Sequence, residues 1–164
     1  MPNDRKTALR TQLIDAQQEL REVLDRVEPT AWNNVHANEG WTVRDLLTHL
    51  TTAETGFVGA IRRMAAGQGG VPADFDANRW NAGQLRRRGE VSVDELRSEL
   101  EKSHQDMLAL LDSLGDDDDA AFDNRGYLSS GAEGSTEDNF LLVVSHKREH
   151  TADIRSALTT AARG

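Results

Sequence analysis

Four stretches of this chain space their apolar residues by steps of three and four, a period that fits amphipathic α-helices and little else when it is sustained over several turns. Over residues 4–27 the stripe is Leu9, Leu13, Ala16, Leu20, Leu24 and Val27, and Pro29 closes it because proline cannot continue a helix. A second stripe opens at Thr42-Val43-Arg44-Asp45, which resembles a capping box with Asp in place of Glu. It runs through Leu46, Leu50, Ala53, Phe57, Ile61 and Met64, flanked by Leu47 and Val58, and should stop near residue 66, before Gly67, Gly69 and Gly70. Ser92-Val93-Asp94-Glu95 reads as a full capping box, and Leu96, Leu100, Met107, Leu111 and Leu114 carry a third helix to Gly115. The last spans residues 136–162, with Phe140, Val143, His146 or Lys147, His150, Ile154 and Leu158 facing inward.

The connections differ in length and contain no convincing strand. Residues 28–41, with Trp32, Trp41 and Gly40, read as a packed loop. Residues 68–90 read as a loop plus a short helix over 77–87, held by Trp80 and Leu85. Asp116 to Asp119 carry too dense a charge for a packed element, and a calcium loop would need spaced ligands and a glycine turn, so a solvated loop is expected. Residues 120–135, with Ser129, Ser130, Gly126, Gly131 and Gly134, read as an irregular crossing. The expectation is an all-α four-helix bundle forming a single domain over 1–164, with an irregular segment and short helix between the second and third long helices.

The net charge of -9 argues against a nucleic-acid partner, since the one dense basic cluster is Arg86-Arg87-Arg88. No apolar run reaches the length of a membrane span, and Met1-Pro2-Asn3-Asp4 has no signal-peptide core, which places the protein in the cytoplasm. There is no cysteine, so thiol chemistry would need a sulfur brought by another molecule.

His146 and His150 stand four residues apart in the last stripe, one turn above each other on one helix face. His49 lies beside the second stripe, between Leu46 and Ala53. Three neutral imidazoles from two helices would suit Zn²⁺, Ni²⁺, Fe²⁺ or Co²⁺ and leave a coordination position open. Spacing alone also allows surface residues or a hydrogen-bonded core histidine.

Other metal patterns fit less well. His146-Lys147-Arg148-Glu149-His150 spells H-x-x-E-H, in which the Glu is a general base on zinc-bound water, but such proteases use larger mixed scaffolds. Glu101-Lys102-Ser103-His104 matches one half of a di-iron motif whose second half is missing. His104 is therefore expected as a core histidine and His36 as a surface or loop residue. Asp153, three residues after His150, could orient that ring. Glu54 points away from His49 and should pair with an arginine, while Arg148 and Arg155 read as solvated charges. Trp32, Trp41, Phe57, Trp80 and Tyr127 are expected mainly as core plugs, with pocket lining as the alternative.

Gly40-Trp41-Thr42-Val43-Arg44-Asp45-Leu46-Leu47-Thr48-His49-Leu50 followed by Glu54, the segment from Asp74 through Trp80, the Ser92-capped helix, and His146-x-x-x-His150-x-x-Asp153-Ile154-Arg155 together resemble the DinB-like superfamily. The resembled branch is the one related to mycothiol-dependent maleylpyruvate isomerase. The resemblance implies a four-helix bundle, often a homodimer, with a divalent metal on His49, His146 and His150. It also implies a low-molecular-weight thiol cosubstrate that the metal deprotonates. The isomerase carries a further C-terminal domain that has no counterpart before Gly164, so the isomerase reaction itself is not expected. The expected function is a metal-dependent thiol S-transferase type of chemistry, with Zn²⁺ or Ni²⁺ activating mycothiol or bacillithiol against a small electrophile; no further catalytic residue is assigned. The alternatives are metal-assisted hydrolysis with Glu149 or Asp153 as base, and a non-enzymatic, stress-related binding module in which His104 could close the site.

Overall fold

The computed structural model describes residues 4–38, 40–115 and 119–163; of the loop expected over Asp116 to Asp119, the first three residues lie outside them, and Asp119 instead opens a short helix. Four long helices dominate: α1 (Asp4–Leu24), α3 (Val43–Ala65), α5 (Val93–Ser113) and α7 (Thr136–Arg163). Between them lie α2 (Ala31–Asn34), β1 (His36–Asn38), β2 (Trp41–Thr42), α4 (Ala77–Arg87), α6 (Asp119–Asp123), β3 (Arg125–Tyr127) and β4 (Glu133–Ser135). Two short antiparallel ladders, β1–β2 and β3–β4, thus stand where no strand was expected. No helix among the described residues is long and apolar enough to cross a membrane.

The helix ends follow local chemistry. The Thr42 hydroxyl accepts the Asp45 N–H at 3.1 Å while the Thr42 N–H donates to the Asp45 carboxylate at 3.1 Å, a complete reciprocal cap. Ser92 makes only half of the expected box: its hydroxyl accepts from Glu95 N–H at 3.1 Å, and the Glu95 side chain stays in solvent. Ser135 and Asp138 close a reciprocal cap at the start of α7 that the sequence reading did not mark. At the end of α3, Gly67 takes φ +76° so that Gln68 N–H reaches Arg63 C=O at 2.8 Å and Gly67 N–H reaches Met64 C=O at 3.0 Å, a Schellman termination.

Helix α1 packs against α7 and α5, and α3 against α5 and α7. Arg5 meets Glu137 while Gln17 meets Lys147, so α1 and α7 run parallel. Thr51 bonds Leu96 C=O and Thr55 bonds Ser103, so α3 and α5 also run parallel. Lys6 bonds Leu114 C=O and Arg21 meets Glu101, which makes α1 and α5 antiparallel. Asn124 joins Ala65 C=O to Thr136, setting the end of α3 beside the start of α7. The directions are up, down, down, up. Because α3 and α5 are parallel, residues 66–92 must climb back along the outside of the bundle, and α4 rides on α3 as they do so.

This climbing segment is tied down by β3: Val71 N–H donates to Tyr127 C=O at 3.0 Å, and a Cβ on Gly70 would lie 2.1 Å from that carbonyl oxygen, so only glycine fits. Tyr127 contributes its backbone there, while its side chain is 38 % exposed rather than a core plug.

The apolar core is in two parts. One gathers Leu13, Phe57, Ile61, Met107, Phe122 and Phe140; the other gathers Leu20, Leu24, Leu46, Leu50, Leu96 and Ile154. The residues at the heights between them are polar and buried: Gln17 on α1, His49, Thr51 and Glu54 on α3, Ser103 and His104 on α5, and Lys147, His150 and Thr151 on α7.

Candidate metal centre

The three histidines singled out from the sequence meet at one edge of this polar layer. His49 sits in the second turn of α3, positioned by the Thr42 cap, and His146 and His150 project from successive turns of α7. One ring nitrogen of each lies within 4.8 Å of the others. His49 Nε2 and His146 Nε2 are 2.9 Å apart, and the ring planes cross at 70 to 89° with centroids 4.5 to 5.0 Å apart. Trp41 packs on the His49 ring at 5.1 Å and Phe57 on the His146 ring at 5.6 Å.

Burial holds His49 down to about 4, with the nearby His150 adding to the effect. Burial likewise holds His146 down to about 3, reinforced by His150, His49 and Lys147. Both rings are neutral at pH 7, the form that ligates metal. His150 Nδ1 meets Asp153 Oδ2 at 3.0 Å, so the expected carboxylate orients this ring and leaves its Nε2 free.

The donor set fits a metal ion. Two nitrogens sharing one ion at roughly 2.1 Å each lie about 3.0 to 3.4 Å apart, and the 2.9 Å between His49 and His146 falls just below that range. A hydrogen bond between them would use one proton and leave the third ring unserved. With Nε2 given to an ion, His49 carries its proton on Nδ1, which is buried and has no partner in hydrogen-bond geometry. Asn81 of α4 is the polar group that raises this ring's proton affinity, although it stands outside bonding geometry.

His49 and His146 also stand at one end of a cleft of about 490 Å³ between α3, α7 and the climbing segment. Phe57, Phe75, Trp80 and Leu142 form its apolar walls, and Arg63, Asn81, Asn139, Ser129 and Ser130 supply polar groups. The sequence reading missed Asn139 and Arg63, although Asn139 lies two turns before His146 on one face and Arg63 extends the line His49, Ala53, Gly56, Ala60. Asn81 gave no such signal, because α4 has no clear stripe.

The remaining candidates lie elsewhere. His104 is buried at 2 % exposure and outside the histidine group, held down to about 4 by burial, with Lys147 and Arg21 contributing. His36, Glu149 and Arg155 are exposed. Glu54 was expected to pair with an arginine; instead its Oε2 lies 2.7 Å from Lys147 Nζ, with both side chains 3 % exposed. Lys147 wins because α7 packs directly on α3 and points this residue into the layer.

The profile of the DinB superfamily matches residues 12–154. The chain belongs to the DinB superfamily. A search among curated proteins by sequence finds no match. Among solved structures, this DinB protein is similar to YfiT from Bacillus subtilis, described as a probable metal-dependent hydrolase with an unusual four-helix bundle topology (TM-score 0.78, 18 % identity, 99 % of this chain and 90 % of that one). It is similar to a variant of the mycothiol-dependent maleylpyruvate isomerase (TM-score 0.77, 13 % identity), where 91 % of this chain spans 60 % of the isomerase. An uncharacterised protein from Escherichia coli UTI89 aligns at TM-score 0.69 with 15 % identity, over 96 % of this chain and 94 % of that one. At these identities the likeness is one of fold.

Proposed function

We propose that His49, His146 and His150 hold one divalent metal, Zn²⁺ or Ni²⁺, and that the protein is an enzyme of the thiol S-transferase type. The observation that carries this reading is the convergence of three imidazoles, two of which, His49 and His146, line an apolar cleft that no described carboxylate lines. When bound, such a metal lowers the pKa of a thiol it binds and makes a nucleophile at neutral pH. Asp153 holds the His150 ring, and Trp41 and Phe57 pack the other two. A low-molecular-weight thiol such as mycothiol or bacillithiol supplies the sulfur that this cysteine-free chain lacks.

Hydrolysis is the second reading, favoured by the description of YfiT. It is the weaker one here because a water nucleophile gains most from a general base. Glu149 is exposed and Asp153 is engaged with His150.

Elemental analysis of untagged protein should find about one metal per chain, lost in His146→Ala; full occupancy in a His49, His146, His150 triple alanine variant overturns the proposal. Turnover of an electrophile should require added thiol, and turnover without it selects hydrolysis. The reading includes a cytoplasmic homodimer, and gel filtration showing only an 18.1 kDa species removes the dimer from it.

A further inference from the structure

The cleft has a second end, and its chemistry differs from the histidine end. Asn139 is 1 % exposed, lines the cleft, and its side-chain oxygen has no hydrogen-bond partner. A buried amide edge left bare costs on the order of 1 to 3 kcal/mol, and because a half turn exchanges its oxygen and nitrogen, this edge can offer an N–H to an acceptor. On α7, Asn139 lies seven residues before His146, which at the helix rise is about 10 Å from the metal end.

Arg63, an exposed residue of α3, lines the same cleft. Its guanidinium folds back along α3 to Gly59, where a Cβ would sit in ordinary van der Waals contact with Nη1 at 3.5 Å. The same fold-back turns the charge toward the cleft.

Charge selects the ligand. The chain has 28 acidic residues and a net charge of -9, yet among the described residues no Asp or Glu lines the cleft and Arg63 is the one side chain of permanent charge there. In so acidic a protein, a carboxylate-free cleft carrying an arginine, and a dication at its other end when metal is bound, favours an anion over a neutral or cationic ligand. A single guanidinium without a cluster of further cations suits one carboxylate rather than a polyphosphate.

We infer that the cleft takes an elongated organic acid: its apolar body lies between Phe57, Phe75, Trp80 and Leu142, and its carboxylate sits at Arg63 and Asn139, about 10 Å from the histidines. The orientation, with the reacting end at the metal, rests on the metal-centre reading above; the head-group site does not. Asn139 serves the carboxylate through its amide N–H, since a half turn of the amide exchanges its oxygen and nitrogen.

The test compares 5-phenylpentanoate with its neutral amide by calorimetric titration of the full, metal-loaded protein. The acid should bind about tenfold more tightly than the amide, and Arg63→Gln should reduce the gap to within about twofold while leaving amide affinity and metal content unchanged. Arg63→Lys should keep part of the preference. An equal affinity for acid and amide overturns the inference, as does a preference that survives Arg63→Gln. A preference that survives Arg63→Gln but vanishes in the histidine triple variant assigns the carboxylate to the metal end, so the inference fails while the metal centre stands. A preference that depends on Arg63 in protein that takes up no added Zn²⁺ or Ni²⁺ leaves the head-group site standing and overturns the metal-centre reading instead.

Discussion

Replacing Lys147 by methionine should cost this protein about 4 kcal/mol in its metal-free form, because it strands a buried carboxylate. Lys147 Nζ lies 2.7 Å from Glu54 Oε2 and donates to Gln17 Oε1 at 2.6 Å, and both charged side chains are 3 % exposed. Among the described residues, Lys147 is the one group that offsets the burial of the Glu54 carboxylate, and no second partner supports either oxygen. Breaking one side of a buried pair typically costs about 3 to 5 kcal/mol, which for a chain of this size lowers Tm by roughly 10 °C. Replacing both, with Lys147→Met and Glu54→Leu, should recover most of the loss, since an apolar pair has no charge to desolvate.

The loss also has a pH signature. Burial already pushes the Glu54 carboxyl up, with Lys147 pulling it back. Without the ammonium it rises further. A carboxyl with a raised folded pKa binds more protons folded than unfolded, so its penalty grows as pH rises from the ordinary 4.5 through the folded value. The deficit of Lys147→Met relative to the parent should therefore be larger at pH 8 than at pH 5. Urea denaturation of EDTA-treated protein at both pH values measures it. A deficit under about 1 kcal/mol, a double variant no better than the single, or a deficit that shrinks with rising pH refutes the reasoning.

The metal-free protein should also lose stability as pH falls from 6.5 toward 4, because His49 and His104 at about 4 and His146 at about 3 refuse protons that the unfolded rings accept near 6.5. A flat urea midpoint from pH 7 to pH 5 would contradict those depressed values. Ser92→Ala removes the hydroxyl that accepts Glu95 N–H and should cost about 1 kcal/mol, seen as a Tm drop of roughly 3 °C; no change would mean that the cap contributes nothing. Gly67→Ala should likewise cost about 1 kcal/mol, because φ +76° is a left-handed conformation that alanine resists, and an unchanged midpoint would show that the Schellman turn relaxes freely.

The long helices were legible because each carries a stripe over several turns and two of them open on capping boxes readable in the sequence, at Thr42 and Ser92. The β1–β2 and β3–β4 ladders were not, since two or three residues are too few for an alternating pattern to declare itself. At the site, spacing joined His146 to His150, but only family resemblance tied in His49, because proximity between α3 and α7 is a tertiary fact. The stripe of α7 left open whether His146 or Lys147 faces inward. Both do: about 100° apart on the helix, His146 turns to the cleft and Lys147 to the buried layer. Glu54 was misassigned to an arginine because helix geometry gives the direction of a side chain and not the residue across from it.

That division of labour on α7 ties the metal reading to the polar layer. Lys147 and Glu54 are the only charged groups buried in the described chain apart from histidines, and they neutralise each other. A dication on His146 adds positive charge one residue from Lys147, and Lys147 already helps to hold the His146 ring neutral. Removing the ammonium therefore relieves a repulsion felt by the ion and leaves the Glu54 charge unopposed to attract it. Both effects have the same sign, so Lys147→Met should bind Zn²⁺ more tightly than the parent even though its metal-free fold is weaker, and its stability deficit should narrow when metal is added. Competition with a chelator of known affinity reads this directly. Weaker Zn²⁺ binding in Lys147→Met, or a deficit equal with and without metal, would mean that Glu54 serves Lys147 alone and that the layer and the histidine centre are electrostatically independent.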